Sequence, residues 1–257
     1  MSFYGLIVLG LVLAFVCFLG TAVYRALAVR IKLIDYPNER SSHVTPTPNS
    51  AGLIFVGLTI GCIYLVISPT NGDWSKLSLL LTFSAVALLG SMDDNFDLPV
   101  LFRMFLQALF VIGVVYSIDS ISPINLLGLS LGKWTVLNLV ISVLGLMWMM
   151  NLYNFMDGID SIAASQAIFI ATAGSLFLYL ARDYELAFWL FILVSTLVGF
   201  LFWNLPPAKV FMGDAGSSFL GFFFGSVGLL SISRGELTVW FWLTICATFV
   251  TLSLIHI

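Results

Sequence analysis

Charge is what this chain has least of. Asp, Glu, Lys and Arg make up 9% of its 257 residues, against about 25% in an ordinary soluble domain. Ten basic and thirteen acidic side chains cannot cover the outside of so long a chain. That excludes a cytosolic enzyme, a disordered tail and a nucleic-acid binder with a basic face. Cysteine is nearly absent. Cys17, Cys62 and Cys246 each stand alone in an apolar run, as helix-packing residues do and as disulfide or metal partners do not. Alternating segments of about ten residues are missing too, which excludes a membrane β-barrel. No Lys or Arg precedes the first apolar run, and no small-residue cleavage site lies before the first basic cluster. That run therefore reads as a retained helix and not a signal peptide. No tandem repeat recurs at a fixed period.

What is present is hydrocarbon. Apolar residues are 60% of the chain and mean hydropathy is +1.08. Helix-length apolar runs fall near 3–24, 51–69, 76–91, 100–118, 134–150, 163–181, 185–203, 215–232 and 238–255. The expected fold is all-α: a polytopic transmembrane helical bundle of about nine helices, one integral-membrane domain over 1–257. The odd-numbered loops carry Arg25, Arg30, Lys32, Arg40, Arg103 and Lys209, and the even-numbered loops only Lys76, Lys133, Arg182 and Arg234. This bias predicts an outside N-terminus and odd loops in the cytoplasm.

The acids are more informative. Asp35, Glu39, Asp93, Asp94, Asp97, Asp157, Asp160 and Asp214 all lie in or beside odd loops. A carboxylate at membrane depth costs about 2.5–3.5 kcal/mol on insertion scales, so acids gathered on one face predict one site. The third loop contains Asp93-Asp94, which repel unless neutralised and offer the hard oxygens that Mg²⁺ prefers. In the fifth, Asn151, Asn154, Asp157 and Asp160 recur every three residues and share one side of a helical or 3₁₀ turn. The seventh, after Pro206-Pro207, runs through Phe211 to Asp214 and Ser217-Ser218. There the next helix start is expected to favour an anion such as phosphate. The first loop supplies Arg40, His43, hydroxyls and three prolines. Carboxylates, a phosphate-binding helix start and basic groups on one face fit displacement at phosphorus, and the membrane setting suggests a lipid as one substrate.

Four stretches, Asp35 through Pro48, Asp93-Asp94, Asn151-x-x-Asn154-Phe-x-Asp157-Gly-x-Asp160 and Phe211-Met-Gly-Asp214-x-Gly-Ser, carry a resemblance. In order and separation they are similar to the polyprenyl-phosphate N-acetylhexosamine-1-phosphate transferase superfamily, which includes the phospho-MurNAc-pentapeptide translocase. The form Ser41-Ser42-His43-x-x-Pro46-Thr47-Pro48 most resembles the branch that initiates bacterial surface polysaccharides such as O-antigen. The resemblance implies transfer of N-acetylhexosamine 1-phosphate from a UDP-sugar to undecaprenyl phosphate, with Mg²⁺ or Mn²⁺ as cofactor and UMP as the second product. It implies Asp214 as a direct metal ligand with Asp94 beside it, and Asp93, Asp94 and Asp157 as catalytic groups. Asn151, Asn154, Asp160, Phe211, His43 and Arg40 are implied on the substrates, Asp160 toward the uracil and Phe211 stacked on it. The lipid bilayer and a homodimer are the further candidate partners.

Two departures stand out. Where relatives have a glycine pair, this chain has Asn49-Ser50-Ala51-Gly52, which puts local backbone geometry in question. Relatives also continue into a basic, histidine-containing loop and a last helix or two, so the expectation is a C-terminally truncated chain without part of its diphosphate site. Three alternatives fit less well. An intramembrane aromatic prenyltransferase would use Asp93-Asp94-x-x-Asp97 but needs a second Asp-rich repeat. A divalent-cation transporter would place its acids near the bilayer midplane. A CDP-alcohol phosphotransferase needs an arginine that Asp157-Gly158-Ile159-Asp160-Ser161 lacks.

Overall fold

The computed structural model describes residues 3–31, 33–35, 46–67, 74–118, 125–126, 129–130 and 136–247. Among these, the helices in chain order are α1 (Phe3–Ile31), α2 (Gly52–Ile67), α3 (Trp74–Phe96), α4 (Val100–Ser117), α5 (Val136–Met156), α6 (Ile162–Leu180), α7 (Tyr184–Asn204), α8 (Gly213–Ser233) and α9 (Val239–Ile245). Two antiparallel ladders of two residues per strand, Ile34–Asp35 with Thr47–Pro48 and Asn125–Leu126 with Leu129–Ser130, are the sheet content. Inside a bilayer only a helix satisfies its own N–H and C=O groups, and the apolar runs therefore coil. Seven of the helices are long and apolar enough to cross a membrane, and α2 is a shorter apolar helix. The chain is an all-α, multi-pass membrane bundle. The ninth expected span, 238–255, is represented by the short α9, and residues beyond 247 lie outside the described part.

Burial is graded from centre to rim. In α8, 83% of the membrane window is buried, in α1 17%. Helix α8 is central, wrapped by α3, α5 and α2, while α6 and α1 pack on α7. Its Phe219, Phe222, Phe223 and Phe224 are buried against Phe55, Phe83 and Tyr153 in mostly tilted and edge-to-face pairs. Close approach needs a missing side chain on the same helix: a Cβ at Gly221 would fall 2.3 Å from the Met149 carbonyl of α5. Away from α8, Leu11, Phe15, Leu101 and Phe105 point outward, as lipid-facing residues do. Some of the interior polarity is paired between helices, as in the Thr59–Thr196 hydroxyl contact of 2.9 Å between α2 and α7.

Candidate functional site

The ends of α3 and α5 and the start of α8 meet at one end of the bundle, and the expected acids meet with them. Helix α3 continues to Phe96 instead of stopping near 91, so Asp93 and Asp94 stand on its last turn and not in a loop. Nothing in Met92 to Phe96 forbids helix. The break comes at Asp97, in the left-handed region at φ 46, followed by Leu98 and Pro99, where the pre-proline position disfavours helix. Helix α4 then reverses direction from Pro99.

Asp94 is saturated. Its carboxylate accepts from the Asp214 N–H at 2.9 Å, the Ala215 N–H at 3.4 Å, the Ser50 hydroxyl at 2.6 Å and the Asn49 amide at 3.4 Å. The anion at the start of α8 is therefore Asp94 itself. This corrects the expectation of a phosphate there, because first-turn N–H groups already given to a carboxylate are not open to a second anion. Asp94 also clamps the 49–50 segment, where the chain departs from a glycine pair. Ser50 takes a left-handed φ of 61, and the strain is offset by its N–H on Asn49 Oδ1 at 2.8 Å and its hydroxyl on Asp94. The clamp requires backbones in contact. A Cβ at Gly90 would lie 2.3 Å from the Asp214 carbonyl, so only glycine lets α3 and α8 meet here.

Asp93, buried, accepts the Leu98 N–H at 3.0 Å and an ion pair from Arg103 Nη1. The same nitrogen reaches Asp214 Oδ2 at 3.2 Å, and the Asp93 and Asp214 carboxyls themselves interact. By sequence Arg103 is one of the odd-loop charges and nothing more. The signal was available: Pro99 reverses the chain, and a reversal returns the first turn of α4 to the end of α3. Asn154 interacts with Asp214, and Asp157 receives the Gly213 N–H. Burial, then repulsion from Asp214 and Asp94, holds the Asp157 carboxyl well above the ordinary carboxylate range.

The fifth-loop strip does not act as a unit. Asn151 turns back to the Met147 carbonyl at 2.7 Å, while Asp160 Oδ2 accepts the Ala208 N–H at 2.9 Å. Asn204 joins the same two segments, accepting the Ser161 N–H at 3.0 Å and donating to the Val210 carbonyl at 3.0 Å. Phe211 is partly exposed, its backbone held by the Pro48 carbonyl at 2.8 Å and the Ala51 N–H at 3.0 Å. Arg40 and His43 lie outside the described residues. Among the described residues no three acid, histidine or cysteine side chains close around one point. Mg²⁺ does not require that. It is ordinarily held by one or two carboxylates with water and substrate phosphates completing its shell. Asp94, expected beside Asp214 at the metal, has its oxygens already occupied; Asp93 and Asp214, with oxygens on one shared cation, are a donor set of that kind.

Residues 76–232 match glycosyl transferase family 4. The undecaprenyl-phosphate alpha-N-acetylglucosaminyl 1-phosphate transferase of Yersinia pestis is 30% identical over 210 residues, covering 78% of this chain and 56% of that protein. The probable undecaprenyl-phosphate N-acetylglucosaminyl 1-phosphate transferase of Bacillus subtilis is 29% identical, with 83% and 60% covered. The decaprenyl-phosphate N-acetylglucosaminephosphotransferase of Mycobacterium tuberculosis is 31% identical, with 84% and 58% covered. The chain thus spans a little more than half the length of the curated relatives it matches.

Proposed function

From the premise that the chain belongs to glycosyl transferase family 4, we propose that it transfers N-acetylhexosamine 1-phosphate from a UDP-sugar to undecaprenyl phosphate. A lipid phosphate oxygen forms a bond to the β-phosphorus of the UDP-sugar. The bond from that phosphorus to the bridging oxygen breaks, UMP leaves, and the sugar remains on a lipid diphosphate. One observation carries the reading: Asp93, Asp94, Asp157 and Asp214 converge at one end of the bundle, where Arg103 pairs with Asp93 and Asp214. Such a gathering of part-buried carboxyls is expensive to ionise together without a bound cation.

Asp93 and Asp214 would hold that cation, Mg²⁺ or Mn²⁺, which when bound supplies charge neutralisation to the diphosphate and the departing phosphate. The chain's own groups do the rest. Asp94 fixes the start of α8, so that Asp214 is presented at a constant depth. Asn154 and Asp157, brought to Asp214 by the end of α5, line the side from which the nucleotide-sugar would approach. Partly exposed Phe211 offers a ring face for uracil. Asp160 keeps the 204–210 segment, and with it Phe211, in place. UDP-sugars are made in the cytoplasm and the basic residues favour the same side, so the acidic end would face inward across the bacterial inner membrane. Initiation of a surface polysaccharide such as O-antigen is the role this reading favours.

Membranes containing the protein, given radiolabelled UDP-N-acetylhexosamine and undecaprenyl phosphate, are expected to yield labelled lipid together with UMP only when Mg²⁺ is added. Asp214→Asn should abolish the label while the protein stays membrane-inserted. Pyrophosphate release from a prenyl diphosphate, or full turnover by Asp214→Asn, would refute the proposal.

A further inference from the structure

A cation already sits between the two carboxylates to which the metal is assigned, and the chain supplies it. Arg103 Nη1 bridges Asp93 Oδ2 and Asp214 Oδ2. The pairing is not the parallel two-nitrogen fork that makes arginine–carboxylate contacts tight. One nitrogen serves both oxygens, as a point charge would, and Nε of the same guanidinium is buried with no hydrogen-bond partner. Helix α4, which carries Arg103, is peripheral, with 22% of its membrane window buried. Moving its side chain aside disturbs little of the core.

We propose that Arg103 is a built-in counter-ion that holds the Asp93–Asp214 pair together in the cation-free protein and is displaced when a divalent cation binds. The proposal rests on the cation assigned above and adds a competition that the assignment does not contain. Two carboxylates facing each other repel unless a positive charge lies between them. The guanidinium and the metal are alternative solutions to one electrostatic problem, and each must weaken the other's hold. Arg103 is thereby a positioning residue: it keeps the two ligands at bridging distance until the metal arrives.

The test is Mn²⁺ binding to the purified, detergent-solubilised protein, read by the electron paramagnetic resonance signal of free Mn²⁺ and by thermal unfolding. In Arg103→Gln, Mn²⁺ is expected to bind about tenfold more tightly than in the unmodified protein, a typical coupling between two competing sites. Without Mn²⁺ the same variant should melt earlier, and Mn²⁺ should restore its midpoint. Arg103→Lys, which keeps a point charge, should bind Mn²⁺ close to the unmodified protein. Unchanged or weaker binding by Arg103→Gln, a melting loss that Mn²⁺ does not repair, or Arg103→Lys behaving like Arg103→Gln would each overturn the proposal. A measurement on the unmodified protein covers a variant that fails to fold. Mn²⁺ should increase phenylglyoxal labelling of Arg103 several-fold, and protection instead would overturn it. Failure of the cation assignment has a different signature, Mn²⁺ binding indifferent to Asp214→Asn.

Discussion

Both ends of the bundle carry a cluster with more acids than bases, and the shortfall of bases is larger at one of them. At the far end, Asp183 and Glu185 from the α6–α7 turn and Glu236 beyond α8 meet Lys76 of α3 and Arg234. Lys76 Nζ lies 2.6 Å from Glu185, and Arg234 lies 2.5 Å from Asp183 and 3.5 Å from Glu185. Asp183 also caps α7 by accepting the Leu186 N–H at 3.0 Å. Three acids face two cations there, and Glu236 and Asp183 hydrogen-bond each other. At the site end, Arg103 pairs with Asp93 and Asp214, while Asp94 and Asp157 rely on N–H groups at the start of α8. The same residue types thus make a fastener at one end and an electrostatic deficit at the other. A fold gains nothing from a deficit, so the deficit marks where a ligand is expected.

The contrast is broken most forcefully by Asp157→Asn. Activity is expected to fall by roughly 10²–10⁴-fold, the range associated with losing a positioned acid or base, as measured by labelled lipid formed. Stability should move the other way. The Asp157 carboxyl is held above its ordinary range, so the folded state binds its proton more tightly than the unfolded state. That contribution is present at low pH and declines as pH rises past the unfolded value. The asparagine variant should therefore gain on the unmodified protein in thermal unfolding as pH rises past the ordinary carboxylate range. An Asp157→Asn protein that loses both activity and stability would mean that the site end is a fastener as well.

The far end should give the mirror image. Removing the charge of Asp183, whose side chain is 4% exposed, leaves Arg234 without its closest partner. Asp183→Asn is expected to cost about 3 kcal/mol while leaving activity at permissive temperature unchanged. Burial and the neighbouring Asp183 raise Glu236 to about 7, so stability should decline as pH climbs from the unfolded glutamate value toward 7. Glu236→Gln should flatten that slope. Asp183 shifts the opposite way: hydrogen bonds from Glu236, the Leu186 N–H and Arg234 outweigh its burial, and its contribution is lost only in more acidic solution.

What could be read in advance follows from the range of the forces involved. Helices α1 to α8 were legible because an apolar run must coil in lipid whatever it touches. The gathering of Asp93, Asp157 and Asp214 was legible because acids in odd loops must share a side. The partners were not legible. Asp94 met the α8 amides and not an external anion because Gly90 lets two backbones touch across more than 120 residues of sequence, and no local pattern reports that. Asp160 and Asn151 look alike in a three-residue repeat, yet one reaches Ala208 and the other folds back on its own helix. Arg103 was counted for its sign when its position after Pro99 was the informative part. Residue type told the chemistry, and long-range packing decided what each group was paired with.

Lys76 supplies the smallest and most discriminating test of the far end. Its contact with Glu185 is short, but both side chains are about a third exposed, 30% and 31%. Water screens such a pair and each long side chain loses freedom in making it, so the net gain is about 0–1 kcal/mol. Glu185 also keeps Arg234 at 3.5 Å when Lys76 is gone. Lys76→Ala should therefore shift the thermal midpoint only slightly and leave turnover untouched. The distance alone would predict otherwise, since 2.6 Å is nearly as short as the Arg234–Asp183 contact. If Lys76→Ala destabilised the protein as much as Asp183→Asn, the five groups would be acting as one cooperative network, and burial of Asp183 would not be what sets the strength of this end.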